Sequence, residues 1–489
     1  MNKLFFSIIL ISVSFCVTAQ EKFSLPDIIE RAKSISPRAK QAETRRENFY
    51  WQYRFFRSNY NPQLVLSGNL PGINRDFSGI TQPDGTIAFR RRRNSDSGLN
   101  LGLRQPITLT GGEVSINSGV NRFTATTQPD PSSDETSFFK NWSANVFNIT
   151  IRQPIFGFND LRWDKKIEPL RYEESKKGFV EEMEFVSRRA VELYFDYLGA
   201  QVDLQVAEFN LSNNDTIYNI EKGRYNIGTT SKDKLLQVEL QFLQSKQQVA
   251  SAKLALQTSR LGLNSFTGLS VDEYVLDLPE ETPKFGINKE KALQYARANR
   301  SDYVQFERRR IEADRDVARA KAQRFQTDLV ASFGQNGAND TFDGSYQEAT
   351  GRQTVNLSLN IPILTWGRNE ARLKTALANK QLTDYTIAQD EQNFDQEIIT
   401  LVSRIDVLRI QLEIAKKSDE VAQERYQVAQ NRYLIGKIDI TNLNLALRDK
   451  DDSRRGYVRA LREFWTAYYD LRRLTLYDFS ENQLLYREE

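Results

Sequence analysis

Histidine, the commonest general base and metal ligand, is absent from all 489 residues of this sequence, and cysteine occurs once, at Cys16. Cys16 lies inside an N-terminal apolar run, so once that run is removed the chain has no thiol for a disulfide, a nucleophile or a metal. Catalysis would have to rest on carboxylates, lysines and hydroxyls. Such groups could serve a carboxylate-dependent hydrolase, but the Asp and Glu residues fall mainly on helix faces, where solvated charge is the ordinary role. No catalytic residue, metal site or cofactor is therefore expected. Two patterns could bind rather than react. "RRRR" at 90–93 reads as a solvated loop between strand-like segments, with lipid phosphate at the cell surface as the alternative and nucleic acid disfavoured for an isolated run in an exported chain. The other pattern is a motif that occurs twice.

"RYNIGTTSKDKLL" starts at Arg224 and "RYLIGKIDITNLN" starts at Arg432, so Arg, Tyr, Ile and Gly return after 208 positions. The same offset of 208 separates Pro154 in "TIRQPIFGFNDLRWDKK" from Pro362 in "LNIPILTWGRNEARLK". Two landmarks with one offset indicate a duplicated chain. The openings of the halves, "RAKSISPRAKQAE" from Arg31 and "YARANRSDYVQFE" from Tyr295, place Ala32 and Ala296 264 apart. The first half thus carries roughly 56 additional residues before Pro154, the difference between the two offsets.

The repeated landmarks must be held by other elements, and these are legible from hydrophobic period. "MNKLFFSIILISVSFCVTAQ" has Lys3 ahead of an apolar run and a small-residue "VTA", the pattern of a secretory leader cleaved near Ala19. The bulky Phe15 before Cys16 argues against a lipoprotein signal. Beyond the leader no run of ~18 apolar residues exists, mean hydropathy is −0.57 and net charge is +3, so membrane entry would need a β-barrel or an anchor. Met183, Val186, Ala190, Leu193, Tyr197, Ala200, Leu204, Ala207, Leu211 and Tyr218 step by threes and fours with one interruption at Asn214, which is a heptad seam. A second seam runs from Leu235 through Val238, Phe242, Ser245 and Leu263 to Phe266, so the glycine motif separates the arms of a helical hairpin. The second half repeats this with Ala422, Tyr426, Ala429 and Tyr433 before the motif and Leu443, Leu447, Val458, Leu461, Trp465 and Tyr468 after it. One arm, from about Trp163 to Lys222, would reach ~90 Å.

Between helices the period becomes two. Val355, Leu357, Leu359 and Ile361 oppose Asn356, Ser358 and Asn360; Leu329, Ala331 and Phe333 oppose Val330 and Ser332. Leu99, Leu101 and Leu103 oppose Asn100, Gly102 and Arg104, and Phe147, Ile149 and Ile151 oppose Asn148 and Thr150. Apolar outside with small polar inside fits a lipid-facing barrel strand. A half-buried soluble sheet alternates identically; the secretory leader and the direct joining of strands to long helices at Pro154 and Pro362 favour the barrel.

With these elements in order, the whole mature sequence resembles the TolC family of outer-membrane efflux proteins. The resemblance implies an α+β membrane protein: tandem repeats of long coiled-coil helical hairpins and β-hairpins, pooled by a homotrimer into an outer-membrane β-barrel and a periplasmic α-helical tunnel. It divides the chain into a leader at 1–19, a first repeat at 20–269 with strands about 63–152, a linker at 270–286 around "GLSVDEYVLDLP", and a second repeat at 287–489 with strands about 328–361 and a C-terminal tail. It further implies a gated exit duct of a tripartite efflux or type I secretion system, partnered by a periplasmic adaptor (membrane fusion protein), an inner-membrane pump or ABC transporter, and outer-membrane lipid, without nucleic acid. Arg224, Tyr225 and Gly228, with Arg432, Tyr433 and Gly436, would form the adaptor-docking tips; glycine as a helix terminator is the plainer role. Aperture carboxylates in the family tend to follow the second glycine by six positions, where this sequence has Asn442, so Asp233, Asp439 and Asn442 are the aperture candidates. The first half shows strand-like stretches at about 63–70, 97–104, 113–122 and 142–152, where the family usually has two, which leaves 12 or 18 strands per trimer open. A periplasmic coiled-coil adaptor or scaffold is the alternative function.

Overall fold

The computed structural model describes residues 21–486 except 82–83, 128–136, 271–273, 280, 284 and 324–325. The expected leader at 1–19 lies outside the described residues, as does part of the expected linker. In chain order the elements are β1 (Glu21–Phe23), α1 (Leu25–Ile35), α2 (Pro37–Ser58), β2 (Gln63–Thr81), β3 (Ile87–Ile107), β4 (Gly112–Thr127), β5 (Ser137–Pro154), α3 (Asp160–Asn226) and α4 (Lys232–Thr267). There follow β6 (Tyr274–Leu276), α5 (Lys289–Asn299), α6 (Ser301–Ala322), β7 (Gln326–Asn339), α7 (Phe342–Gln347), β8 (Thr350–Asn360), α8 (Arg368–Leu434), α9 (Ile440–Thr475), β9 (Tyr477–Asp478) and β10 (Gln483–Leu484). The duplication is exact in helix length: α3 and α8 have 67 residues each, α4 and α9 have 36 each. Both halves also open on a broken helix. Pro37 fixes the break after Ser36, whose backbone is extended, and Arg300 makes the equivalent extended break between α5 and α6.

The chain forms two compact units that each draw on both repeats. One comprises residues 1–45, 177–300 and 394–489. Its core gathers Ile28, Val191, Tyr194, Ile398, Ile405 and Leu461, all essentially inaccessible. The heptad positions face inward as their spacing requires: Val186, Ala190, Tyr197, Ala207, Val238, Leu263, Ala422, Tyr426, Leu443 and Leu447 are buried. Small residues along this seam let the backbones approach. The interrupting Asn214 is satisfied inside the seam, where its amide donates to Ser245 Oγ at 2.6 Å. Arg472 is largely buried between two buried carboxylates, donating to Glu184 at 2.8 Å and Asp478 at 2.5 Å, with Lys33 completing the Glu184 pairing at 2.8 Å. These charges are paired and hydrogen-bonded, which is the condition for leaving them in a core.

The other unit comprises residues 46–176 and 301–393. Its centre is a single antiparallel sheet in the order β2, β3, β4, β5, β7, β8. All four strand-like stretches of the first half therefore join one sheet, and each is longer than its apolar alternation. The excess includes the segment 91–96, which is polar on both faces and still completes its backbone hydrogen bonds by pairing with β2, and a hairpin end where Ile73, Phe77, Ile87 and Phe89 share one exposed face. This corrects the reading of the arginine run: residues 90–93 are not a loop but part of β3, where Arg91, Arg92 and Arg93 stand opposite Phe77, Asp76 and Arg75. Two irregularities interrupt the register, one at Leu70 and Pro71 of β2 and one at Val146 of β5. Pro71 fits because a bulge on an edge strand does not need its missing N–H.

Candidate functional site

Antiparallel partners share a face, so the register sorts every side chain of the sheet. Leu64, Leu103, Ile116, Ile149 and Phe333 form one transverse row, and Val114, Ile151, Ala331 and Val355 form another on the same face, joined by Leu329 and Leu357. Much of this face is exposed among the described residues: Leu64 is 65% exposed, Leu357 63% and Val355 73%, while Leu103 and Ile149 are half-buried. The opposite face carries the row Ser67, Asn100, Gly119, Asn145, Asn336 and Thr350, which crosses all six strands. It is the concave side, and those residues border a cavity of about 810 Å³. An apolar convex face of this extent in water would expose far more hydrocarbon than a soluble surface carries, whereas a bilayer solvates it. The concave face offers neutral amides and hydroxyls at this row, which can exchange hydrogen bonds with hydrated solutes without trapping a charge.

In the helical unit, the two glycine motifs end α3 and α8 identically. Gly228 has φ +76° and Gly436 φ +74°. The N–H of Gly228 donates to Tyr225 O at 2.9 Å and that of Thr229 to Arg224 O at 2.9 Å; Gly436 donates to Tyr433 O at 3.0 Å and Lys437 to Arg432 O at 2.9 Å. Paired bonds of this kind with a left-handed residue are the Schellman termination, so glycine at both places follows from backbone geometry. The side chains before them diverge. Tyr433 is buried at 4% exposure and donates to Glu221 Oε1 at 2.9 Å, whereas Tyr225 is 40% exposed. Arg224 donates to the same Glu221 oxygen at 2.7 Å and lies 5.8 Å from the Tyr433 ring centre, while the Arg432 side chain is exposed and has no hydrogen bond or ion pair among the described residues. Burial pushes the Glu221 carboxyl up, but the hydrogen bonds from Tyr433, Arg224 and Thr230 and the Arg224 charge outweigh it and hold the group below its ordinary value.

Glu221 is the residue that the sequence pattern did not single out. Its equivalent 208 positions on is Ala429, so duplication gives no signal for it, and only an acidic residue three before Arg224 hinted at a pair. Around it, Arg224, Thr230, Tyr433, Gly436 and Asp439 border a cleft of about 570 Å³. Of the aperture candidates, Asp439 caps α9, its Oδ1 accepting from the Asn442 backbone at 2.9 Å and the Asn442 amide at 2.8 Å. Ser231, the residue 208 earlier, caps α4 in the same manner. Asp233 lies exposed in the first turn of α4. Pro154 ends β5 and Pro362 follows β8, each shortly before a 67-residue helix begins. Among the described residues no cluster of acidic side chains is arranged to hold a metal and no helix is long and apolar enough to cross a membrane.

Residues 117–269 and 292–475 match the family model described as outer membrane efflux protein. No curated protein matches the chain. Among solved structures the chain is similar to the CmeC outer membrane channel of Campylobacter jejuni, at 15% identity and TM-score 0.64 over 92% of this chain and 85% of that one. It is also similar to the outer membrane protein VceC of Vibrio cholerae, at 14% identity and TM-score 0.63 over 92% and 95%. The MtrE outer membrane channel of Neisseria gonorrhoeae matches at 18% identity and TM-score 0.60 over 92% and 88%. At these identities the likeness is one of fold.

Proposed function

The chain belongs to the outer membrane efflux protein family, and from that premise we propose that it is the gated exit duct of a tripartite efflux or type I secretion system. Its place is the outer membrane, with a helical tunnel extending into the periplasm. In this reading three copies pool their strands into one barrel, and the duct transports passively, catalyses nothing, and is coupled to an inner-membrane pump or ABC transporter through a periplasmic adaptor. The observation that carries it is the sheet with one largely exposed apolar face and one concave polar face. A periplasmic adaptor or scaffold would have to bury that apolar face in a soluble domain, whereas among the described residues Leu64, Val355 and Leu357 stay more than half exposed. The turns at Gly228 and Gly436, with Arg224, Tyr225, Arg432 and Tyr433, are the docking tips in this proposal, and Asp233, Asp439 and Asn442 border the periplasmic aperture. In this reading the lining discriminates by width and charge rather than by chemical identity, so the choice of cargo falls to the pump. Cell fractionation tests the proposal: the mature chain is expected in the outer membrane and released by detergent as a trimer, and recovery as a soluble periplasmic monomer would overturn it.

A further inference from the structure

Among the described residues two strand edges of the sheet are unpaired, β2 on one side and β8 on the other. Six strands alternate in direction, so these two edges run antiparallel to each other, and β8 of one copy can continue the ladder onto β2 of the next. We propose that it does so with Asn360 of one copy opposite Gln63 of the next, and that three copies thereby close an 18-stranded barrel. The inference rests on the trimeric duct proposed above and adds to it the strand count and the register.

The register follows from the sheet itself. A transverse path through paired residues runs Gln63, Arg104, Ser115, Thr150, Ser332, Thr354, and it crosses none of the irregularities. It starts at the first residue of β2 and arrives at Thr354, six residues before the last residue of β8, Asn360. Both of those ends hand over to helices, so in a closed barrel they come to the same membrane level, and the path must climb six residues for each six strands. With a rise of ~3.3 Å per residue and a spacing of ~4.8 Å between strands, that climb is a tilt of about 35°. Closed barrels have tilts of ~35–45°. The even shift also keeps faces matched: Gln63 and Asn360 both belong to the polar concave face, whereas a shift of five or seven would set lipid-facing leucines against lumen residues. Residues 354–360 of β8 then find partners on residues 63–69 of β2, ahead of the irregularity at Leu70 and Pro71. Barrel diameter grows about linearly with strand number, so this pore is roughly half again as wide as a 12-stranded one and falls in the size range of aqueous channels.

Thiol crosslinking decides the strand count in intact trimers. In a Cys16→Ser background the protein carries no native cysteine. Gln63→Cys with Asn360→Cys, treated with a short bis-maleimide that reaches the aqueous lumen, is expected to give a denaturant-resistant ladder ending at three chains, with neither single variant doing so. The competing geometry folds β2 and β3 out of the wall and lets β8 meet β4, which at the same tilt sets Asn360 opposite Glu113. A ladder from Glu113→Cys with Asn360→Cys, or no ladder from Gln63→Cys with Asn360→Cys in a preparation that sediments as a trimer, would overturn the 18-stranded closure. A preparation with no trimer by sedimentation would instead overturn the duct reading on which the closure rests.

Discussion

Gly228 and Gly436 illustrate how one residue type serves two purposes that mutation can separate. Both are left-handed, yet a side-chain carbon at either would meet no atom within 4 Å. The cost of substitution is therefore backbone strain of ~1–2 kcal/mol for most residues and less for asparagine, which tolerates this conformation. Asparagine at both positions is expected to leave trimers and membrane insertion intact and to reduce adaptor crosslinking only modestly, whereas tryptophan at both should keep the trimer and abolish adaptor crosslinking and export. Normal export by the tryptophan variant would reduce the motif to helix termination. The sequence showed the repeated Arg-Tyr pair but not that its copies divide the work, Arg224 and Tyr433 converging on Glu221 while Tyr225 and Arg432 remain exposed. Because the Glu221 carboxyl is held below its ordinary value, this contact contributes fully at neutral pH and is lost as pH falls through the folded-state value, below the usual carboxylate range near 4.3. Amide-exchange protection at residues 222–229 should thus decline in acid in the parent protein. In Glu221→Gln it should be lower at neutral pH, by ~1–3 kcal/mol locally, and insensitive to that acid step.

At the scale of elements, strands and helices were legible where one face must be apolar and obscure where none need be. The alternation of Leu357 and Asn356 is legible because a wall strand of the proposed barrel would meet lipid on one side and water on the other. The stretch 91–96 has no such contrast, so its membership of β3 depends on pairing with β2, a long-range choice that local pattern does not encode. The buried Arg472 with Glu184 and Asp478 was hidden for a related reason, since a charge in a heptad helix looks solvated until its partners from other elements are known. The faces of β8 give a direct test. Leu357→Arg should cost ~2–4 kcal/mol near the bilayer midplane and lower the yield of assembled protein in the outer membrane, while Asn356→Arg should assemble close to normally. Equal tolerance on both faces, measured by heat-modifiable trimer in membrane fractions, would show that β8 is not a wall strand.

For the whole molecule, the expectation of two seams per helical hairpin accounts for the core of one chain and leaves a second set of apolar positions unused. On α4, Leu236, Leu240, Leu243, Leu254 and Leu261 are all more than half exposed and follow heptad spacing; on α8, Val407, Ile410, Ile414, Val421 and Val428 do the same. A soluble monomer has no use for two such stripes, and side chains of this size each gain roughly 1.5–3 kcal/mol when fully buried. The stripes lie on different helices, so contact between copies joins unlike surfaces, the head-to-tail arrangement that closes a ring. The unpaired β2 and β8 edges are unlike surfaces in the same sense. Leu240→Lys combined with Leu243→Lys, which touches neither the sheet nor the glycine turns, should consequently leave helix content unchanged by circular dichroism while shifting the detergent-extracted protein from trimer toward monomer in sedimentation. Ile410→Lys with Ile414→Lys should do the same from the opposite side. If either pair leaves the trimer as stable as the parent, that stripe faces solvent or another partner, and the assembly energy must come from the barrel alone.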